Sequence, residues 1–270
     1  MKKSLVQQQF GAHAQAYATS TVHAKGASLA RLVDLLAPQS TWSVLDVATA
    51  AGHTAFALAP HVARVVASDI TPEMIPVAQQ VAAEKGITNV TYRTADAEDL
   101  PFDAAQFDLV TCRIAPHHFP HVDAFAREAF RVLKPGGLLA VVDNVVPGGD
   151  PSTPDGAAQQ AAGAYVNAFE LRRDPSHVRC LSREEWREVL AAAGFTLRHE
   201  ETAPKRMAFD PWVKRMGADA AAQAAIKRML LDAPPAAAAF FAVDGVDGDA
   251  ANPLAFHLLE AIFIAQKPGE

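Results

Sequence analysis

The spacing of hydrophobic and polar positions changes period several times along the chain. Over "AKGASLARLVDLLAP" the apolar residues Ala27, Leu29, Leu32, Val33 and Leu36 recur at three- and four-residue steps, and Pro38 ends the run. This predicts a helical front end from about Ser4 to Leu36. A regular alternation follows. "SVLDVA", "RVVASDI", "NVTYRTAD", "FDLVTCRIA" and "GLLAVVDNV" read as five short strands. "HTAFALAPHV", "TPEMIPVAQQVAAEKG" and "HVDAFAREAFRVL" between them read as helices. The second of these is expected to begin with Thr71 as N-cap and Pro72 at its first position, and to stop before Gly86. The third ends in "KPGG", read as a turn between helix and strand. Such a rhythm predicts parallel βαβ units, hence a central sheet covered on both faces.

Past Val146 the rhythm breaks. "PGGDPSTPDGAAQQ" is a Pro/Gly-rich loop, followed by a helix around Ala161 to Leu171. "SREEWREVLAAAGF" carries a capping box, with Ser182 as N-cap and Glu185 at the third position. "FTLRHEETA" and "LAFHLLEAIFIAQK" read as two closing strands, and the alanine-rich segment between them as helix plus loop. The expectation is a single domain over 1–270, with a helical lid (1–40), a cofactor-binding core (41–147) and an acceptor-side insertion with closing strands (148–270).

Composition narrows the partners. The formal net charge is −6, which argues against a general phosphate-binding surface and so against nucleic acid. The two cysteines, Cys112 and Cys180, form no zinc or redox spacing, so a reducing cytoplasm is the expected location. "MKKSLVQQQF" has no apolar run behind its lysines, and no stretch approaches the roughly 18 to 20 apolar residues of a membrane span. A homodimer is compatible with all of this.

The chemistry is concentrated at strand ends. In "VLDVATAAGHTA", Val44 to Ala55, a strand runs through a loop into a helix. A dinucleotide site would carry G-x-G-x-x-G here, so that bare backbone approaches the pyrophosphate. The turn instead holds Ala48, Ala50 and Ala51 with only Gly52, and the acid Asp46 would repel a phosphate. A nicotinamide dinucleotide is thus disfavoured on sterics and on charge. S-adenosylmethionine has a sulfonium, an ammonium, a ribose diol and an adenine, and no phosphate. Asp46 can accept from the ammonium, Asp69 at the end of the second strand from the ribose hydroxyls, and Asp96 from the adenine amino group, with the Ala97 N–H beside it for a ring nitrogen.

Motif order and spacing here resemble the class I S-adenosylmethionine-dependent methyltransferases, in particular the UbiE/COQ5-like branch. "VLDVATAAGHTA", "VVASDITPEMI", "TADAEDLPF", "FDLVTCRIAPHHF" and "RVLKPGGLLAVVD" carry the resemblance over about Val44 to Asp143. It implies a Rossmann-like α/β fold, a seven-stranded mostly parallel sheet of order 3-2-1-4-5-7-6. It also implies a cofactor pocket lined by Asp46, Gly52, Asp69, Ile70, Asp96 and Ala97. Ala48, Thr49 and Arg113 join the candidate set, with Tyr17 of a lid segment that also holds Phe10. "RIAPHHFPH" follows the fourth strand and offers His117 and His118 as bases for a phenol, an enol or an activated carbon. Three histidines on one turn, His117, His118 and His121, do not converge on a metal, and no metal is expected. In "DPSHVRCLS", His177 and Arg179 are candidates for contact with the acceptor. The expected activity is methyl transfer to the oxygen or carbon of a small aromatic or quinone-like molecule, leaving S-adenosylhomocysteine. The alternative is a chain of this fold that binds the cofactor without transferring methyl.

Overall fold

A computed structural model describes residues 2–12, 27–245 and 252–269. The first helices are α1 (Lys2–Ala12) and α2 (Ala27–Leu36). Five strands and four helices then alternate: β1 (Ser43–Val47), α3 (His53–Leu58), β2 (Arg64–Asp69), α4 (Met74–Glu84), β3 (Val90–Thr94), β4 (Phe107–Arg113), α5 (Val122–Val132), β5 (Leu133–Val145) and α6 (Pro154–Arg173). The remainder is α7 (Arg183–Ala192), β6 (Thr196–Ala208), α8 (Phe209–Lys214), α9 (Ala220–Leu231), α10 (Pro235–Phe241) and β7 (Ala255–Gln266). The strands form one seven-stranded sheet of order β3-β2-β1-β4-β5-β7-β6, with β1 parallel to β2 and β4, β2 to β3 and β4 to β5. This is the Rossmann-like strand order that the resemblance to class I methyltransferases implied. No described helix is long and apolar enough to cross a membrane.

Every residue of β1 is buried, as befits a central parallel strand covered on both faces, whereas β3 at the edge is largely exposed. The chain divides into two compact units. The first comprises Met1–Asp143, Arg187–Glu201 and Ile262–Glu270. Its core joins Leu32, Val44, Leu58, Val65, Leu109 and Val142. The second comprises Asn144–Trp186 and Thr202–Ala261. There Phe169 stacks on Trp212 with ring centroids 4.9 Å apart and planes 10° from parallel, and Phe241 and Phe256 close the cluster.

Local differences from the sequence reading have physical causes. "KPGG" does not precede β5 but bulges out of it, since Phe107 pairs with Leu133 and Leu109 already with Leu138. Gly136 takes the left-handed φ of 79° that this excursion needs. Thr71 does not cap α4, whose N-cap is Glu73; the Thr71 N–H donates to Asp69 instead. The alanine-rich segment, read as helix plus loop, holds two helices, α9 and α10, the second with Pro235 in its first turn. The capping box is present: Glu185 N–H donates to Ser182 Oγ at 3.2 Å, and Ser182 N–H to Glu185 Oε2 at 2.8 Å.

Candidate active site

The turn after β1 is held from below by a buried carboxylate. Register pairs Asp46 with Thr111 on β4, and Thr111 Oγ1 donates to Asp46 Oδ1 at 2.7 Å. Thr49 Oγ1 donates to the other oxygen at 2.6 Å. Asp46 is 1% exposed, and burial pushes its carboxyl up to about 6. The two threonine hydroxyls and the charge of Arg113 oppose that rise. Arg113, at the end of β4, donates from Nε to Thr54 Oγ1 at 3.1 Å and thereby reaches across to α3.

The alanines that stand where glycines were expected are in the left-handed region, Ala48 at φ 55° and Ala50 at φ 47°. Gly52 follows at φ 86°. A Cβ on Gly52 would lie 2.3 Å from the Phe56 ring, so glycine is required there both for φ and for space. The turn keeps its glycine-like path because its amides have fixed partners. Thr49 N–H donates to Ser68 O at 2.9 Å, and Ala50 N–H to Asp69 Oδ2 at 2.8 Å. Asp69 takes Thr71 N–H on its other oxygen at 2.8 Å, and burial raises its carboxyl against these two bonds. The Ala50 amide is therefore committed to a carboxylate. A turn arranged this way suits a ligand without phosphate.

Further along the edge, Asp96 Oδ1 accepts from Glu98 N–H at 3.0 Å, and Ala97 between them is buried. The Ile70 carbonyl accepts from Gln7 Nε2 of α1 at 2.9 Å. His117 and His118 form a short 3-10 turn after β4 and are buried, at 8% and 7% exposure. His117 Nδ1 lies 2.6 Å from Asp143 Oδ1, and His117 N–H donates to Asp143 Oδ2 at 2.9 Å. An ionised carboxylate only accepts, so Nδ1 carries the proton and the basic lone pair is on Nε2. The His118 ring tilts against His117 with centroids 4.2 Å apart and stands edge-on to Phe10.

Asp143 was not singled out from sequence. Its only signal is an acid near the end of β5, the neighbour of β4, and that neighbour relation exists only once the strand order is known. Thr111 is hidden in the same way, because its partner is set by β1–β4 register. Tyr17 lies outside the described residues. In the second unit, His177 is 2% exposed and its Nε2 donates to Asn167 Oδ1 at 2.9 Å, an oxygen that also takes Cys180 N–H at 2.7 Å. Arg179, with 53% of its side chain exposed, pairs with Glu185. The described residues contain no cluster of three side chains able to hold a metal ion.

Residues 45–141 match the family described as "Methyltransferase domain", Methyltransf_11. The uncharacterized methyltransferase YcgJ of Bacillus subtilis is 36% identical over 78% of this chain and 79% of its own length. The crystal structure of YcgJ aligns with a TM-score of 0.81 at 32% identity, covering 90% of this chain and 99% of that one. A methyltransferase structure from Bacillus halodurans aligns with a TM-score of 0.80 at 34% identity, covering 90% and 100%. The ubiquinone/menaquinone biosynthesis C-methyltransferase UbiE of Agrobacterium fabrum is 36% identical over 42% of this chain and 46% of its own length.

Proposed function

The chain belongs to the class I S-adenosylmethionine-dependent methyltransferases, and on that premise we propose that it methylates the oxygen or carbon of a small aromatic or quinone-like molecule. The observation that carries this reading is the His117–Asp143 pair, 2.6 Å apart at the carboxyl ends of β4 and β5. An acceptor that must lose a proton, such as a phenol or an activated carbon, needs a base of this kind. Partial likeness to a quinone-pathway C-methyltransferase supports the same class of acceptor.

The residues present fit the cofactor. Three carboxylates end or follow three adjacent strands, and the amide of the turn is already bonded to one of them. Asp46, with Thr49 and Arg113 around it, is assigned to the ammonium, and the backbone of Ala48 and Gly52 to the methionine part. Asp69 and Ile70 are assigned to the ribose, and Asp96 and Ala97 to the adenine. When bound, S-adenosylmethionine supplies an electrophilic methyl group on a sulfonium. His117 Nε2 removes the acceptor proton, and Asp143 is the positioning residue that fixes the imidazole tautomer and stabilises the imidazolium. His118 borders the same edge as the second candidate base. His177 is assigned to holding the Asp174–Ser182 loop through Asn167.

The test is S-adenosylhomocysteine formation across a panel of phenols, catechols, hydroquinones, activated carbon acids and amines. Turnover on hydroxyl or carbon acceptors is expected. Turnover on amines alone would sink the acceptor assignment. Tight cofactor binding with no product on any acceptor would favour a chain that binds without transferring.

A further inference from the structure

Lys3, Gln7 and Phe10 fall at steps of four and three on α1, so they share one face of that helix. Each meets the candidate cofactor edge. Lys3 Nζ lies 2.5 Å from Asp96 Oδ2 and 2.6 Å from Glu98 Oε2. Gln7 Nε2 donates to the Ile70 carbonyl. Phe10 packs with Ala50 against Ala51, Met74 and Val77, and its ring stands 5.0 Å from that of His118. Glu98, whose side chain is 6% exposed, accepts His121 N–H on its other oxygen at 2.6 Å. One lysine thereby ties α1 to the loop after β3 and, through Glu98, to the histidine loop after β4.

We propose that Lys3 is a positioning residue for adenine recognition, holding the Asp96 carboxylate in the orientation that receives the exocyclic amino group of the cofactor. This rests on the assignment of Asp96 to the adenine. A carboxylate has about four acceptor positions. Asp96 has one bond from Glu98 N–H on Oδ1 and one from Lys3 on Oδ2, and 30% of its side chain remains exposed, so a further donor can reach it. Lys3 Nζ is shared between Asp96 Oδ2 and Glu98 Oε2, and each Asp96 oxygen keeps a second acceptor position. Without Lys3, the last torsion of Asp96 is held by one hydrogen bond, on Oδ1, in place of two. Adenine presents an N–H donor where hypoxanthine presents a carbonyl oxygen. A fixed carboxylate attracts the first and repels the second, so the ion pair sets base selectivity and not affinity alone.

Calorimetric titration of S-adenosylhomocysteine and S-inosylhomocysteine into wild type, Lys3→Ala and Lys3→Arg tests this. Lys3→Ala should weaken S-adenosylhomocysteine about three- to fivefold and S-inosylhomocysteine less than about twofold, as fits a partly exposed ion pair. The preference for adenine then narrows, and Lys3→Arg restores it. Unchanged or tighter binding of S-adenosylhomocysteine to Lys3→Ala overturns the proposal, since Lys3 would then be a spectator or a competitor. An equal loss for both ligands also overturns it, leaving Lys3 as a fastening of α1. A wild type that prefers neither base would sink the Asp96 assignment, and the proposal with it.

Discussion

Replacing Ala50 by glycine separates backbone strain from every other property of the turn. Ala50 has φ 47°, in a region that costs an L-residue with a Cβ roughly 1 to 2 kcal/mol. Glycine relieves that cost. Against it stand the greater chain entropy of glycine, roughly 0.5 to 1 kcal/mol, and the loss of a partly buried methyl, a few tenths more. That methyl packs on Ala51, Met74 and Val77. The expected net change for Ala50→Gly is about zero to 1 kcal/mol of added stability. Ala30 is exposed within the helix α2 and has no strain to relieve, so Ala30→Gly should lose about 1 kcal/mol. Urea unfolding followed by circular dichroism measures both, and the two variants should differ by about 1 to 2 kcal/mol at equal slope. If Ala50→Gly loses as much as Ala30→Gly, the turn is not strained at Ala50 and the account of it is wrong.

With Asp46 as the proposed ammonium partner, stability and cofactor affinity should respond to pH in opposite senses. Its folded carboxyl is raised to about 6, so the folded chain holds a proton that the unfolded chain releases between about pH 4 and pH 6. Its contribution to stability is thus full below about pH 4 and lost as pH rises through about 6, and Asp46→Asn should flatten that slope in thermal unfolding across the window. The cofactor ammonium needs the ionised form, so S-adenosylhomocysteine affinity should rise up to about tenfold from pH 5 to pH 7, with Thr111→Val moving the midpoint upward; a pH-independent Kd would count against Asp46 as the ammonium partner. Asp69→Ala should weaken S-adenosylhomocysteine by about 1.5 to 3 kcal/mol in calorimetry, and an unchanged Kd would mean that the ribose lies elsewhere. Asp143→Asn should lower kcat at least about tenfold and shift the acidic limb of the pH–rate profile to lower pH, because the imidazole loses its stabilising carboxylate. A uniform loss with the limb in place would reduce Asp143 to a scaffold residue.

The strands were legible because each is a compact apolar run, and a parallel sheet buried on both faces demands such runs. β1 is the clearest case, buried along its whole length. The acids at strand ends were legible because polarity there interrupts an otherwise apolar pattern. What escaped depends on pairing across the sheet. Asp143 acquires its relation to His117 only when β5 lies beside β4, and Thr111 its relation to Asp46 only in the observed register. Thr before Pro is a helix-start pattern, but the Thr71 hydroxyl and N–H are both turned to the buried Asp69 carboxylate. The missing glycines of "ATAAG" change the residue type but not the path of the chain, because hydrogen bonds from the Thr49 and Ala50 N–H groups to Ser68 and Asp69 hold the turn with two alanines at positive φ.

We propose that His117 is the base in methyl transfer from S-adenosylmethionine. Single-turnover formation of S-adenosylhomocysteine on the best phenolic or carbon acceptor, with cofactor saturating, tests it in wild type and His117→Gln. The rate in the variant should be lower by about 10² to 10⁴, with the Kd for S-adenosylhomocysteine unchanged. Equal rates in the two proteins would contradict it.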